Sequence, residues 1–572
     1  MSEQGWLIDT KPSRRFPLYT RLNANDVLPD PITPLGASFS WIPHILPGWA
    51  AGCVALDAFL PSEFVDESTA PVAGFFYGHL YVNQSNARIV GIRAGIGWKA
   101  IDAAFFSIDS PPHDETPEDV NPLLSERMAA RTQWVLTTET FPELEEERLM
   151  ADRCRTQRPD LGSLTPAALV MYARSLMPIE RLCWRSEAIA GNQAATGPAV
   201  LSQLLGEADP SLVVQVIGQA GDVDSAAPSF ALWELSRTVR GDAALTAEFD
   251  RSVDGLADRL EGFRTFTTAF ASFLRDFGYR GPSEWDLGAD SWETRPELAL
   301  SLIDRLRQLG DEVAPANKQK ERERDATAAM QRAVMLLDGN EAAVATLHLA
   351  AASARRFGSW RERAKTNCIK VLHESRMALT ELARRLHAEG HLDSPRQLFM
   401  ATDDELDILI AEPGRLKQVL IEREQAWKKL FLLELPTFVD SRTGVVPLDE
   451  LPRKTQVAVE PVKPGDVLIG GPASAGVARG RARIVYDTAS IADFQPGEVL
   501  IAPQTDPSWT PLFMVASAVI VDVGALGSHA MIVSRELGIP CAAGVRYATR
   551  RIPNGAEVEV DGSTGRVTIL SL

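Results

Sequence analysis

His529 stands where a short stretch of mostly small residues, Gly524 to Gly527, gives way to helical spacing. After it the apolar positions Ile532, Val533 and Leu537 recur three and four residues apart, and Gly538 and Pro540 end the helix. An apolar run, Ala518 to Val523, precedes the loop and reads as a buried strand. A histidine at a loop-to-helix junction sits beside free backbone N–H groups and the positive end of the helix dipole, both of which suit an anion. A neutral imidazole is a good nucleophile near pH 7. The combination fits a histidine that carries a phosphoryl group. On spacing alone, a capped helix whose histidine faces solvent fits as well. A second pair, Arg361 and Lys365, lies one helical turn apart and shares a face. Two such cations repel unless solvent screens them or an anion sits between them. A transferring phosphoryl group would be that anion and would be stabilised most in the transition state. The alternative is a solvated basic stripe, since Arg355, Arg356, Arg361, Arg363 and Lys365 crowd together.

The elements that must position these residues fall into four segments. Residues 1–120 are rich in proline, glycine and aromatics with few helical patterns, and Phe75 to Asn83 reads as one strand. Residues 121–435 are helical. Cys368, Leu372, Ser375, Leu379, Leu382 and Leu386 mark one face, and Leu416, Val419, Leu420, Trp427, Leu430 and Phe431 another, both read as core. Thr402 and Glu405 form a capping box. Residues 436–464 lose periodicity and hold Pro436, Pro447, Pro452, Pro461 and Pro464, a linker composition. Strands resume in 465–572 at Val467 to Ile469, Ala482 to Tyr486, Val499 to Ala502, Ala518 to Val523 and on both sides of Asp561-Gly562. The expected fold is α/β and multi-domain: a largely helical region, then a compact C-terminal β/α domain on a tether. A tethered carrier can reach two separate sites.

Composition narrows the function. The 572 residues carry a net charge of −18, which excludes an extended nucleic-acid backbone as partner. Arg479-Gly480-Arg481-Ala482-Arg483 is read as an exposed strand face. Five scattered cysteines, odd in number, argue for a reducing compartment and against a disulfide framework. With neither a signal core nor a run of transmembrane length, a cytoplasmic protein away from membranes is expected. Most of the twelve tryptophans are read as core.

Four pieces, in order, carry a family resemblance: Gly471-Pro472-Ala473-Ser474-Ala475-Gly476-Val477-Ala478-Arg479-Gly480, Gly497-Glu498-Val499-Leu500-Ile501-Ala502, Thr505-Asp506-Pro507-Ser508-Trp509-Thr510-Pro511-Leu512, and the segment from Gly527 through His529 to Pro540. Together they resemble the swivelling phosphohistidine domain of the phosphoenolpyruvate-utilising enzymes. That resemblance implies that His529 is phosphorylated. Ala525 stands where the family often has a second glycine, and Met531 where it often has alanine. Upstream, Thr20 to Leu35, Tyr77 to Asn83, Gly278 to Glu284 and Arg361 to Asn367 resemble the substrate-binding region of the rifampin phosphotransferase and phenylphosphate synthase branches. This implies substrate-binding roles for Arg21, Asn23, Thr33, Arg280 and Glu284, and catalytic roles for Arg361 and Lys365 beside His529. Tyr279 replaces a histidine common in the family.

No ATP-grasp motif set and no P-loop is read in the chain. The expectation is therefore a phosphotransferase subunit without a metal site of its own, with ATP and Mg2+ held by a separate ATP-grasp subunit. That partner would charge His529, which then passes the phosphoryl group to a hydroxyl of a small organic acceptor such as a phenol. An antibiotic-type phosphotransferase subunit, or a non-catalytic binding or regulatory protein that retains the fold, are the alternatives.

Overall fold

The computed structural model describes residues 5–26, 28–65, 70–106, 110–206, 210–217, 227–311, 314–486, 494–505, 509–524 and 528–572. Asp506, Pro507 and Ser508 of the third motif, and Ala525 and Gly527 of the loop before His529, lie outside the described residues. The chain forms two compact units. The first comprises residues 1–195, 285–289 and 360–458; the second comprises 196–284, 290–359 and 459–572.

In the first unit a four-stranded antiparallel sheet runs in the order β2-β3-β1-β4, with β1 at Leu18–Thr20, β2 at Ala73–Phe76, β3 at His79–Asn83 and β4 at Phe438–Asp440. The sheet corrects two expectations. The single strand read over Phe75 to Asn83 is a hairpin. Tyr77 and Gly78 both take positive φ, 57° and 74°, as a two-residue turn between twisted strands requires. Tyr77 is an unusual residue for that turn, which hid it. Asp9 Oδ1 accepts the Gly78 N–H at 2.8 Å and helps hold it. The stretch read as a linker is partly a strand: β4 pairs with β1, and the Tyr81 hydroxyl donates to the Pro436 carbonyl at 2.9 Å. Prolines are tolerated beside β4 because it is an edge strand. Tyr19, Phe76, Tyr77, Tyr81 and Val439 close one apolar cluster on this sheet.

Five helices carry or flank the residues singled out in the sequence: α1 (Leu46–Ala55), α2 (Pro142–Thr156), α3 (Pro166–Gln193), α4 (Glu341–Ala388) and α5 (His529–Leu537). A π-helical run, Gly36–Ile45, leads into α1. The N-terminal part is thus more helical than its pattern suggested. Its segments are apolar on most faces and carry Pro43 and Pro47, so no 3.6-residue stripe stands out. Thr165 caps α3 by accepting the Ala168 N–H, and Pro166 fills its first turn. The face of α4 read from Cys368 to Leu386 is buried, whereas Val419 of the other stripe is 42% exposed.

The second unit holds an eight-stranded sheet in the order β5-β12-β11-β7-β8-β9-β10-β6. The strands are β5 (Val467–Ile469), β6 (Gly471–Ser474), β7 (Val477–Ile484), β8 (Val499–Ala502), β9 (Ala518–Val521), β10 (Cys541–Ala543), β11 (Glu557–Asp561) and β12 (Arg566–Ser571). β7, β8, β9 and β10 run parallel to one another. Along β8 and β9 alternate side chains enter two different cores. Leu500, Ala502, Val519 and Val521 join Phe266, Phe270, Phe273 and Ile303 from the helices of residues 227–306. Val499, Ile501, Ala518 and Ile520 join Val558, Val560, Val567 and Ile569. That shared core goes with the grouping of the helices between 196 and 359 with the C-terminal strands. On β7, Arg479 is exposed and pairs with Glu559 at 2.6 Å, as expected of a solvent-facing strand.

In the first unit α1 crosses α3 at two glycines. A Cβ at Gly48 would stand 2.6 Å from the Arg181 carbonyl oxygen, and one at Gly52 would stand 2.5 Å from Ala188 Cβ. Gly52→Ala should therefore lower the stability of this unit by about 1–3 kcal/mol, the usual penalty of overpacking a tight contact. Thermal melting of the variant checks this, and an unchanged transition would contradict so close a crossing.

Candidate functional site

α5 begins at His529 because the chain leaves the fully buried strand β9, passes the loop and meets Ser528, whose extended backbone (φ −70°, ψ 155°) makes it the N-cap. The other end of α5 is closed. Gly538 takes a left-handed φ of 64°, Ile539 N–H donates to the Ser534 carbonyl at 2.9 Å, and Arg535 Nε donates to the Ala473 carbonyl of β6 at 2.6 Å. The Ser474 hydroxyl donates to the Ser534 carbonyl as well. At the start, the Ser528 side chain makes no capping bond. The leading backbone N–H groups of a helix lack intrahelical partners, which makes a first turn of this kind suited to an anion.

The cation pair lies in the first unit. Arg361 and Lys365 are roughly one quarter exposed, and Glu362 sits with them: its Oε1 is 3.5 Å from Arg361 Nη1 and 3.8 Å from Lys365 Nζ. A second acid, Glu187 of α3, faces the same cations. Burial raises its carboxyl above the ordinary value, while Lys365 and then Arg361 pull it down and Glu362 pushes it up. The anion that keeps the two cations together is thus already present in the protein. Sequence spacing brought out the cations and missed the acids. Glu187 lies far away along the chain, and Glu362 reads as one more surface glutamate.

The other residues singled out in the sequence take varied places. Thr33 is buried, with its N–H and hydroxyl bonded to the two oxygens of Asp286 at 2.9 and 2.5 Å, while Gly288 N–H also donates to Asp286. This carboxylate anchors the entry to the π-helical run, where Gly36 leaves the room that Asp286 needs. Arg280 and Glu284 are buried in the second unit and pair with each other at 2.8 Å. Arg21 donates Nη2–H to the Pro29 carbonyl at 2.9 Å and lies over the Tyr81 ring at 5.9 Å. Burial pulls its guanidinium down from the ordinary value, against Tyr81, Asp30 and Glu434. Asn23 occupies the part-buried turn after β1. His79, not singled out beforehand, is held neutral by burial and by the charge of Arg21, with Nδ1 2.8 Å from the Tyr77 carbonyl. Among the described residues no three His, Cys, Asp or Glu side chains group to hold a metal ion, and no helix is long and apolar enough to cross a membrane.

Comparison with known proteins bears on both halves. Residues 186–362 match the rifampicin phosphotransferase fourth domain, and residues 494–565 match the mobile domain of PEP-utilising enzymes. Rifampicin phosphotransferase of Streptomyces sviceus is 29% identical over 337 residues, covering 57% of this chain and 36% of the relative. An uncharacterised protein of Mycobacterium tuberculosis is 31% identical over 328 residues, covering 57% and 34%. An uncharacterised phosphotransferase of Bacillus subtilis is 28% identical over 361 residues, covering 59% and 41%. The chain spans well under half the length of these relatives.

The wall of α3 that carries Glu187 also touches a second buried acid. Glu147 of α2 accepts the Ser186 hydroxyl at 2.7 Å through Oε1, while its Oε2 is buried with no hydrogen-bond partner. Burial pushes its carboxyl up to about 7 from 4.5. The folded protein therefore keeps a proton there that the unfolded chain gives up between those values. Its contribution to stability is complete below pH 4.5 and is lost as pH rises through about 7. Glu147→Gln should raise the melting temperature at about pH 8 and leave it nearly unchanged at about pH 4. Parallel melting curves for both proteins across that range would show that Glu147 is not protonated in the fold.

Proposed function

We propose, from the premise that the chain is a member of the PEP-utilising enzymes resembling rifampicin phosphotransferase, that it is a phosphotransferase relaying a phosphoryl group through His529. The observation that supports this reading is the place of His529 as the first residue of α5, after an N-cap serine that makes no side-chain capping bond. An ATP-grasp partner holding ATP and Mg2+ charges the imidazole. The phosphoryl group then goes to a hydroxyl of a small organic acceptor. In that step the N–P bond breaks, an O–P bond forms, and the released imidazole nitrogen takes the hydroxyl proton. Arg361 and Lys365 neutralise the phosphoryl oxygens during transfer to the acceptor. Arg21, Asn23, Thr33, Arg280 and Glu284 serve the acceptor side. For Thr33 the role is indirect, since its hydrogen-bonding groups are engaged by Asp286. For Arg280 and Glu284 it runs through their mutual pair.

Two acceptor classes fit. Close tryptophan contacts at Trp41, Trp184 and Trp285, with ring centroids 5.0–6.4 Å apart, give the first unit an aromatic interior compatible with a phenol. The match of residues 186–362 favours a rifamycin-like hydroxyl compound.

Single-turnover transfer from pre-phosphorylated protein separates the roles. His529→Ala should take no acid-labile phosphate. Arg361→Met and Lys365→Met should take it normally and pass it on slowly, each losing about 2–4 kcal/mol of transition-state stabilisation. Because both cations are part-exposed, the lower end of that range is expected. Wild-type transfer rates in both variants would remove the pair from the mechanism, and labelled His529→Ala would remove the carrier.

A further inference from the structure

Strand β3 presents a ring nitrogen whose lone pair meets no donor among the described residues. His79 is 4% exposed, and its Nδ1 lies 2.8 Å from the Tyr77 carbonyl. A carbonyl only accepts, so Nδ1 bears the proton there. Burial, the charge of Arg21 and, more weakly, that of Lys454 keep the ring from taking a second proton, against the bond to Tyr77. A neutral ring with its proton on Nδ1 leaves a bare acceptor at Nε2. Nε2 is not sealed from solvent. The tyrosine hydroxyls on the same face of the sheet are committed elsewhere: Tyr81 donates to the Pro436 carbonyl and Tyr19 to the Ala70 carbonyl.

Arg21 supplies a charge beside that acceptor. Tyr19 pairs with Asn83 and Thr20 with Val82, so the next step along the chain brings Arg21 opposite Tyr81. His79 and Tyr81, two residues apart on β3, share a face. The guanidinium lies 5.9 Å from the Tyr81 ring centroid and acts on His79 through space. Its Nη2 is used by the Pro29 carbonyl, while its Nε is buried with no hydrogen-bond partner. Asp30 and Glu434 act on it through space, and among the described residues no carboxylate is hydrogen-bonded to it. A desolvated cation without a paired anion is unfavourable. A water molecule would satisfy Nε2 but would not balance that charge. A ligand that answers both offers a hydrogen to Nε2 and a negative charge to Arg21. We propose that His79 and Arg21 bind a small oxyanion that carries its own O–H, a hydroxy acid or a hydrogen phosphate, with the O–H donating to His79 Nε2 and the charge facing Arg21. On the relay reading, where Arg21 serves the acceptor side, a hydroxy acid held here is the phosphoryl acceptor. Binding itself does not depend on His529.

The test is an NMR titration of the full chain, with nitrogen-labelled histidine, at mildly alkaline pH. Glycolate offers the charge and the O–H, acetate the charge alone, and ethylene glycol the hydroxyls alone; inorganic phosphate is the second source. A hydrogen bond accepted at Nε2 moves the resonance of that nitrogen upfield. Glycolate or phosphate should move it, which tells the two sources apart, and acetate and ethylene glycol should leave it in place. Binding should weaken about five- to tenfold in His79→Asn, which keeps a donor for the Tyr77 carbonyl but has no atom at the Nε2 position. His79→Gln, whose amide oxygen reaches that position, should keep most of it. The wild-type titration decides by itself should a variant fail to fold. A resonance unmoved by glycolate and phosphate alike, or moved as far by acetate, overturns the site, as does an unchanged affinity in His79→Asn. A chain that takes no phosphoryl group at His529 overturns the relay and leaves these titrations unaffected.

Discussion

The C-terminal end of α5 is locked in place, while at its N-terminal end the N-cap Ser528 makes no side-chain capping bond. The lock consists of the left-handed Gly538, the bond from Ile539 to Ser534, and the bond from Arg535 to the backbone of β6. Behind the helix, β8 and β9 are buried on both faces, so the strand that delivers the chain to the loop cannot shift without disturbing two cores. Rigidity behind the helix keeps its first turn in place. The backbone dipoles there are fixed before any charge arrives and need no reorganisation when it does.

The first unit solves the opposite electrical problem. Arg361 and Lys365 would repel each other in isolation. Glu362 between them and Glu187 opposite offset that repulsion. Distances of 3.5 and 3.8 Å to Glu362 are loose for ion pairs, and the cations are part-exposed. On the proposed relay, a phosphoryl group bearing about two negative charges competes with these carboxylates for the two cations.

The range of each interaction decides whether the sequence reveals it. The strand, loop and helix around His529 are local: an apolar run, small residues and a glycine stop lie within twenty residues, and the boundaries of β5 and β8 were legible for the same reason. The shared face of Arg361 and Lys365 needs only helical periodicity. The counter-charges needed the tertiary fold, because Glu187 belongs to another helix. The pairing of β4 with β1 joins Phe438 to Thr20, and the clamp of Asp286 on Thr33 spans 253 residues. No periodicity reports contacts of that separation. The Tyr77-Gly78 turn was hidden differently, since a tyrosine at positive φ breaks the local rule that would have announced it.

The relay requires one atom-level assignment, that the phosphoryl group resides on His529 and on none of the other seven of the eight histidines. Peptide mapping by mass spectrometry, under alkaline conditions that preserve phosphohistidine, locates it directly after the chain is charged. The relay predicts a single modified peptide spanning residues 528–535, with the phosphoryl group on His529. A phosphoryl group mapped to His44, His79 or any other histidine, with the peptide around His529 unmodified, would contradict it.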